Sequence, residues 1–136
     1  MSIIQELIRV EEDRTLSFGN YLLDEKKKVE DFEVEGDLYK VKTFYEITKL
    51  EKNGILVYES VPGTTVHGFK LSEAGVDFSV EGNKNSSITV ELEPEQPYKI
   101  FIDDVQVDKV KSNLSGKVTF SVNESLSPKK IKIDRI

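Results

Sequence analysis

The sequence predicts an all-β chain: an N-terminal β-meander followed by an immunoglobulin-like or jelly-roll-like β-sandwich. Three observations predict it. Apolar and polar residues alternate with period two through most of the chain. Turn residues recur at intervals of about 8 to 12 residues. No long stretch sustains the 3.6-residue period of an amphipathic helix.

Taken in order, Ile3, Ile4, Leu7 and Ile8 could form a helical stripe. The apolar run continues through Val10 and, past Glu12-Asp13-Arg14, resumes at Leu16-Ser17-Phe18, which predicts a hairpin instead. Leu22 to Lys28 is expected as a loop or a single helical turn. Val29–Val34 and Leu38–Thr43 flank Glu35-Gly36-Asp37 and predict a second hairpin. Tyr45–Leu50 and Ile55–Val61 flank Asn53-Gly54, a pair that accepts the two positive φ angles of a type I′ turn. Beyond it, strands are expected at Thr65–Leu71, Val76–Val80, Ile88–Leu92, Tyr98–Ile102, Val105–Val110, Lys117–Val122 and around Ile131 and Ile133. Pro62-Gly63 is the best internal boundary. It divides a meander subdomain of residues 1–62 from a sandwich subdomain of residues 63–136, unless the two form one continuous domain.

The chain has 136 residues, 38% hydrophobic and 32% charged, with a net charge of −6. That is enough apolar mass for a core. The acidic balance argues against nucleic acid and against anionic membrane surfaces as partners. With no cysteine, thiolate metal centres, disulfides and thiol nucleophiles are excluded. The opening Met1-Ser2-Ile3-Ile4-Gln5-Glu6 lacks the basic and apolar regions of a signal peptide. A cytoplasmic protein is therefore expected. The Asn-x-Ser triplets at Asn85, Asn113 and Asn123 then read as turn chemistry.

Leu38-Tyr39-Lys40-Val41-Lys42-Thr43, Ile47-Thr48-Lys49-Leu50-Glu51 and Tyr58-Glu59-Ser60-Val61-Pro62-Gly63-Thr64 stand with Glu6-Leu7-Ile8-Arg9 and Leu16-Ser17-Phe18-Gly19-Asn20-Tyr21. Together they resemble a group of short clostridial (Firmicute) proteins often labelled endosialidase. The resemblance covers nearly the whole chain and implies no particular catalytic residues. Sialidase chemistry needs a cluster of arginines for the substrate carboxylate. This chain has only Arg9, Arg14 and Arg135, no Trp, and no Ser-x-Asp-x-Gly-x-Thr-Trp box. The residues therefore predict a non-catalytic protein without a cofactor.

Individual residues suggest sites. His67, the single histidine, sits in Thr64-Thr65-Val66-His67-Gly68. It could act as a base beside Thr65, though a strand histidine bonded to a neighbour explains it as well. Tyr39, Tyr45 and Tyr58 could stack on sugar rings, so carbohydrate is the second partner class considered. Asp103, Asp104 and Asp108 could gather around Ca²⁺, but a hairpin turn accounts for the first two and no metal is expected. Lys26-Lys27-Lys28 lies between acidic residues and is expected to be a solvated loop. Lys129, Lys130 and Lys132 are expected to blunt an edge strand. The dense apolar residues of the first hairpin, Ile4, Leu7, Ile8 and Phe18 among them, predict burial between subunits of a homo-oligomer, a dimer or trimer. An oligomerising or protein-interaction module is the leading expectation, with a carbohydrate-binding module and a glycosidase behind it.

Overall fold

The computed structural model describes residues 3–125 and 127–136. Among them there is no helix, and thirteen strands form two antiparallel sheets that do not close into a barrel. The strands are β1 (Ile8–Val10), β2 (Leu16–Phe18), β3 (Lys27–Val34), β4 (Asp37–Phe44), β5 (Ile47–Lys52), β6 (Ile55–Val61), β7 (Thr65–Ser72), β8 (Gly75–Glu81), β9 (Ser86–Glu91), β10 (Pro97–Ile102), β11 (Val105–Lys111), β12 (Lys117–Val122) and β13 (Lys129–Arg135). The first sheet runs β1-β2-β7-β8-β13-β10-β11, the second β12-β9-β6-β5-β4-β3.

The turns follow from the residues that make them. Asn53 (φ 52°) and Gly54 (φ 81°) both take positive φ, as do Glu35 and Gly36, and Asp103 and Asp104. Two consecutive positive φ angles match the right-handed twist of the strands they join. A Cβ on Gly54 would meet no atom within 4 Å. Gly54→Val should therefore destabilise through backbone strain alone, by about 1 kcal/mol. A urea melt reads this directly, and an unchanged midpoint would contradict the turn geometry.

Alternation then sorts the side chains. Even-numbered Val118, Phe120 and Val122 of β12, Ile88 and Val90 of β9, and Leu50 of β5 point inward and are buried. From the other sheet come Phe18, Val66, Phe69, Val76, Phe78, Val80, Ile100, Ile131 and Ile133. Tyr58 of β6 crosses the gap. Its ring stands edge-on to Phe18, Phe69 and Phe78 of the opposite sheet, at centroid distances of 5.3, 6.0 and 5.6 Å. Edge-to-face contact of this kind adds to the burial of apolar area. The sandwich-like packing thus has one core.

Pro62-Gly63 does not divide that core. Strands before and after it pair in both sheets, β2 with β7 and β6 with β9. The seven strands that follow Pro62 are shared between the sheets, with β9 and β12 lying beside β3–β6.

Two expectations are corrected here. Ile4, Ile8 and Phe18 are buried inside the chain, and Leu7 is half-buried against the core. The first hairpin extends the seven-stranded sheet beside β7, and the strands that follow it form the layer covering its inner face. Ile4, Ile8 and Phe18 therefore have their cover within the chain and do not need a second subunit to bury them. The Lys129, Lys130 and Lys132 cluster lies on β13, in the middle of its sheet between β8 and β10. These lysines face Asp103, Asp104 and Asp134 at 3.5, 3.3 and 3.6 Å and protect no edge.

Candidate functional site

The five ligand candidates singled out in the sequence, His67, Thr65, Tyr39, Tyr45 and Tyr58, do not share one site. Tyr58 is fully buried, with its hydroxyl 2.8 Å from Thr64 Oγ1. Burial pushes its phenol well above the usual range. Thr65 is also buried and donates to the Gly19 carbonyl at 3.0 Å. Tyr39 is half-buried against the core rim, and burial raises its hydroxyl too. Of the five candidate ligand residues, Tyr45 alone is mostly exposed, at 51%.

His67 lies on the outer face of the seven-stranded sheet. Its Nε2 is 3.2 Å from Glu81 Oε1, and Glu81 is itself buried. The ring borders a shallow cleft of about 420 Å³ with Asp77, Ser79, Asp104, Lys130 and Lys132, so His67 and Asp104 line one cleft. Nearby, Ser17 donates to Glu11 Oε2 at 2.5 Å while accepting the Gly68 N–H at 3.2 Å. Ser17 thereby fills the irregularity where β2 meets β7. The Ser17 hydroxyl holds the Glu11 carboxyl below the usual carboxylate range. Both the histidine and the serine are engaged in holding strands together.

The aspartates behave as turn residues. Asp103 accepts the Lys130 N–H at 2.9 Å, and that bond, with the nearby lysines, holds its carboxyl below the usual range. Asp108 accepts the N–H of Lys109 on β11. Among the described residues no group of three or more potential ligands could hold a metal ion. Asn113 and Asn123 each accept from the backbone two residues on, as turn asparagines do.

A chain of buried hydroxyls joins the two sheets at one end. Thr64 Oγ1 lies 2.7 Å from Ser60 Oγ, Thr48 Oγ1 donates to the Thr64 carbonyl at 2.8 Å, and Thr43 Oγ1 lies 2.8 Å from Thr48 Oγ1. The link passes through the cis Val61-Pro62 bond and Gly63. A Cβ on Gly63 would sit 2.0 Å from the Phe44 carbonyl oxygen, so only glycine admits this approach. Beside this network lies Glu124, 2% exposed. Its Oε2 accepts from Ser86 Oγ at 2.9 Å, while its Oε1 has no hydrogen-bond partner among the described residues. Burial raises its carboxyl above the ordinary value of 4.5.

Sequence reasoning missed a surface on the outer face of the six-stranded sheet. Phe44, Tyr45, Ile47, Val61 and Pro62 form an open shelf of about 650 Å³, with Lys26, Glu46 and Lys84 at its rim. The Phe44 and Tyr45 rings stand edge to face at 5.3 Å, and Lys26 Nζ lies 5.9 Å from the Phe44 centroid. Next to the shelf, Lys28, Lys42 and Lys49 stand opposite one another on three neighbouring strands. Lys26, with burial and Lys49, Lys40 and Lys28 behind it, pulls the Lys42 ammonium below the usual lysine range. The signal was partly present, because Lys40 and Lys42 alternate with core residues.

Comparison with protein-family models, with curated proteins and with solved structures finds no match.

Proposed function

We propose that this protein is a non-catalytic interaction module that assembles with a second copy of itself by strand addition at β12. The observation that carries this is the contrast among the four sheet edges. β1 has only three residues. β3 is interrupted by a bulge at Asp31 (φ 56°) and bears Lys27, Lys28, Glu30 and Glu33. β11 is bulged opposite Ile100/Phe101 and bears Asp108, Lys109 and Lys111. Short length, bulges and charge are the ordinary devices that prevent edge pairing. β12 has none of them along Val118-Thr119-Phe120-Ser121-Val122, and pairs regularly with β9 alone. Asn113 N–H reaches the Lys117 carbonyl, and among the described residues no other backbone bond from a turn or loop reaches this strand.

The neighbouring β11 fits the same reading. Val105 pairs with Ile102, which pairs with the buried Ile131, so it belongs to the inner face. It is nevertheless 62% exposed. β11 is exposed along nearly its whole length, and a strand added beside β12 would extend the facing sheet towards it.

An antiparallel pair centred on Phe120 sets Thr119 against Ser121 of the second copy and Val118 against Val122. Hydroxyls meet hydroxyls outside and apolar groups meet inside. The test uses this register. Light scattering on the unmodified chain at micromolar concentration is expected to give twice the chain mass. Thr119→Lys with Ser121→Lys sets ammonium against ammonium and should give a monomer. Thr119→Lys with Ser121→Glu sets opposite charges together and should restore the dimer. A monomeric native chain, or a double-lysine variant that stays dimeric, overturns the proposal.

A further inference from the structure

A second surface carries a separate inference. Like charges directly opposite on neighbouring strands destabilise a sheet. Yet Lys28 faces Lys42 across β3–β4, and Lys42 faces Lys49 across β4–β5. Lys26 joins this row over the Phe44 ring. Carboxylates answer part of the charge. Lys28 and Lys40 approach Glu30 at 3.2 and 3.8 Å, and Lys49 approaches Glu59 at 3.6 Å. Lys26 and Lys42 have no carboxylate within 4 Å among the described residues. A chain of net charge −6 thus sets a row of lysines, Lys26, Lys28, Lys42 and Lys49, side by side on one part of this face, next to its most exposed aromatic side chain.

We propose that this face binds a carboxylate-bearing polysaccharide, with Lys26, Lys42 and Lys49 holding sugar carboxylates and the Tyr45 ring stacking on a sugar face. Charge complementarity selects an anion. The shape selects the class. The shelf is open and shallow, with an aromatic ring beside charged rim groups, as a pyranose with apolar faces and polar edges requires. Strands about 4.8 Å apart place successive ammonium groups at intervals suited to successive sugar units. The inference does not depend on assembly through β12, because the lysines and the shelf belong to one chain.

The test is affinity electrophoresis and calorimetry with polygalacturonate as the probe and its fully methyl-esterified form as the uncharged control. The native chain is expected to bind polygalacturonate, more weakly as salt rises, and to ignore the ester. Lys26→Gln with Lys42→Gln should weaken binding about tenfold. Tyr45→Ala should weaken it about fivefold. Lys111→Gln, on β11 in the other sheet, should leave it unchanged. The lysine variants should melt no lower than the native chain, since they relieve repulsion. Absence of binding at low salt overturns the proposal, as does equal binding of the ester or an unaffected double-lysine variant. Tighter binding to a single-stranded oligonucleotide or to phosphatidylserine vesicles overturns it too, and assigns the face to that class instead.

Discussion

Tyr58→Ala should lower the free energy of unfolding by about 3–5 kcal/mol, as removal of a large buried aromatic ring does. The ring is fully buried and touches three aromatic rings of the opposite sheet. Its loss leaves a cavity where the two sheets meet, and the surrounding strands are too constrained by their ladders to collapse into it. A domain of this size has about 5–15 kcal/mol in total, so the variant should be close to unfolding at body temperature. Tyr58→Phe separates ring from hydroxyl. It keeps all three ring contacts and removes only the partner of Thr64 Oγ1, which still has Ser60. That change should cost about 1 kcal/mol. Chemical denaturation of both variants checks the pair. Equal losses would mean that the hydroxyl network, and not the ring packing, joins the sheets.

Glu124→Gln should raise stability at neutral pH and have no such effect near pH 4. The fold raises the carboxyl above its ordinary value of 4.5 because burial disfavours the charged form. Below that ordinary value the group is neutral in both the folded and unfolded chain and contributes nothing. As the pH climbs through the unfolded value, the unfolded chain releases the proton while the folded chain retains it. The penalty on folding grows through this window and levels off above the folded value. Gln is neutral throughout and keeps an oxygen for the Ser86 hydroxyl. The gain at neutral pH should be about 1–3 kcal/mol, the scale of an unsatisfied buried group. Melting the two proteins across the pH range tests the sign. A variant less stable than the native chain at neutral pH would show that the carboxylate is satisfied in the fold.

The strands were legible because their causes are local. Period-two alternation marks each of them, and Asn53-Gly54 and Asp103-Asp104 fix their turns through φ. Bulges are different. Counted back from the Glu35-Gly36 turn, Lys28 would oppose Thr43. The extra residue near Asp31 shifts the pairing by one and puts Lys28 opposite Lys42. No residue type at Asp31 announces that shift, so the lysine row was hidden and its first members read as a solvated loop. Lys42 against Lys49 needs no bulge and follows from counting across Tyr45-Glu46. Sheet membership was hidden for a related reason. Alternation says that a strand has an inner face but not which partner covers it. The first hairpin is therefore read as needing a second subunit, although its Ile4, Ile8 and Phe18 are buried within the chain, Phe18 against Tyr58 of β6. Tyr58 and Tyr45 look alike in sequence, yet one plugs the core and the other faces solvent.

The lysine row and the β12 edge lie on one sheet. The register Lys28, Lys42, Lys49, Glu59, Thr89, Thr119 crosses it from one side to the other. In the dimer proposed through β12, the two-fold axis would stand perpendicular to that sheet, so both copies would present their lysines on the same side. Nine strand spacings separate β4 from its symmetry mate, roughly 40 Å. If both proposals hold, one long polymer would engage both positions at once, and the second engagement would be intramolecular, governed by effective concentration rather than by bulk concentration. Weak single contacts become tight retention by avidity, and short oligosaccharides that cannot span the gap gain nothing from the pairing.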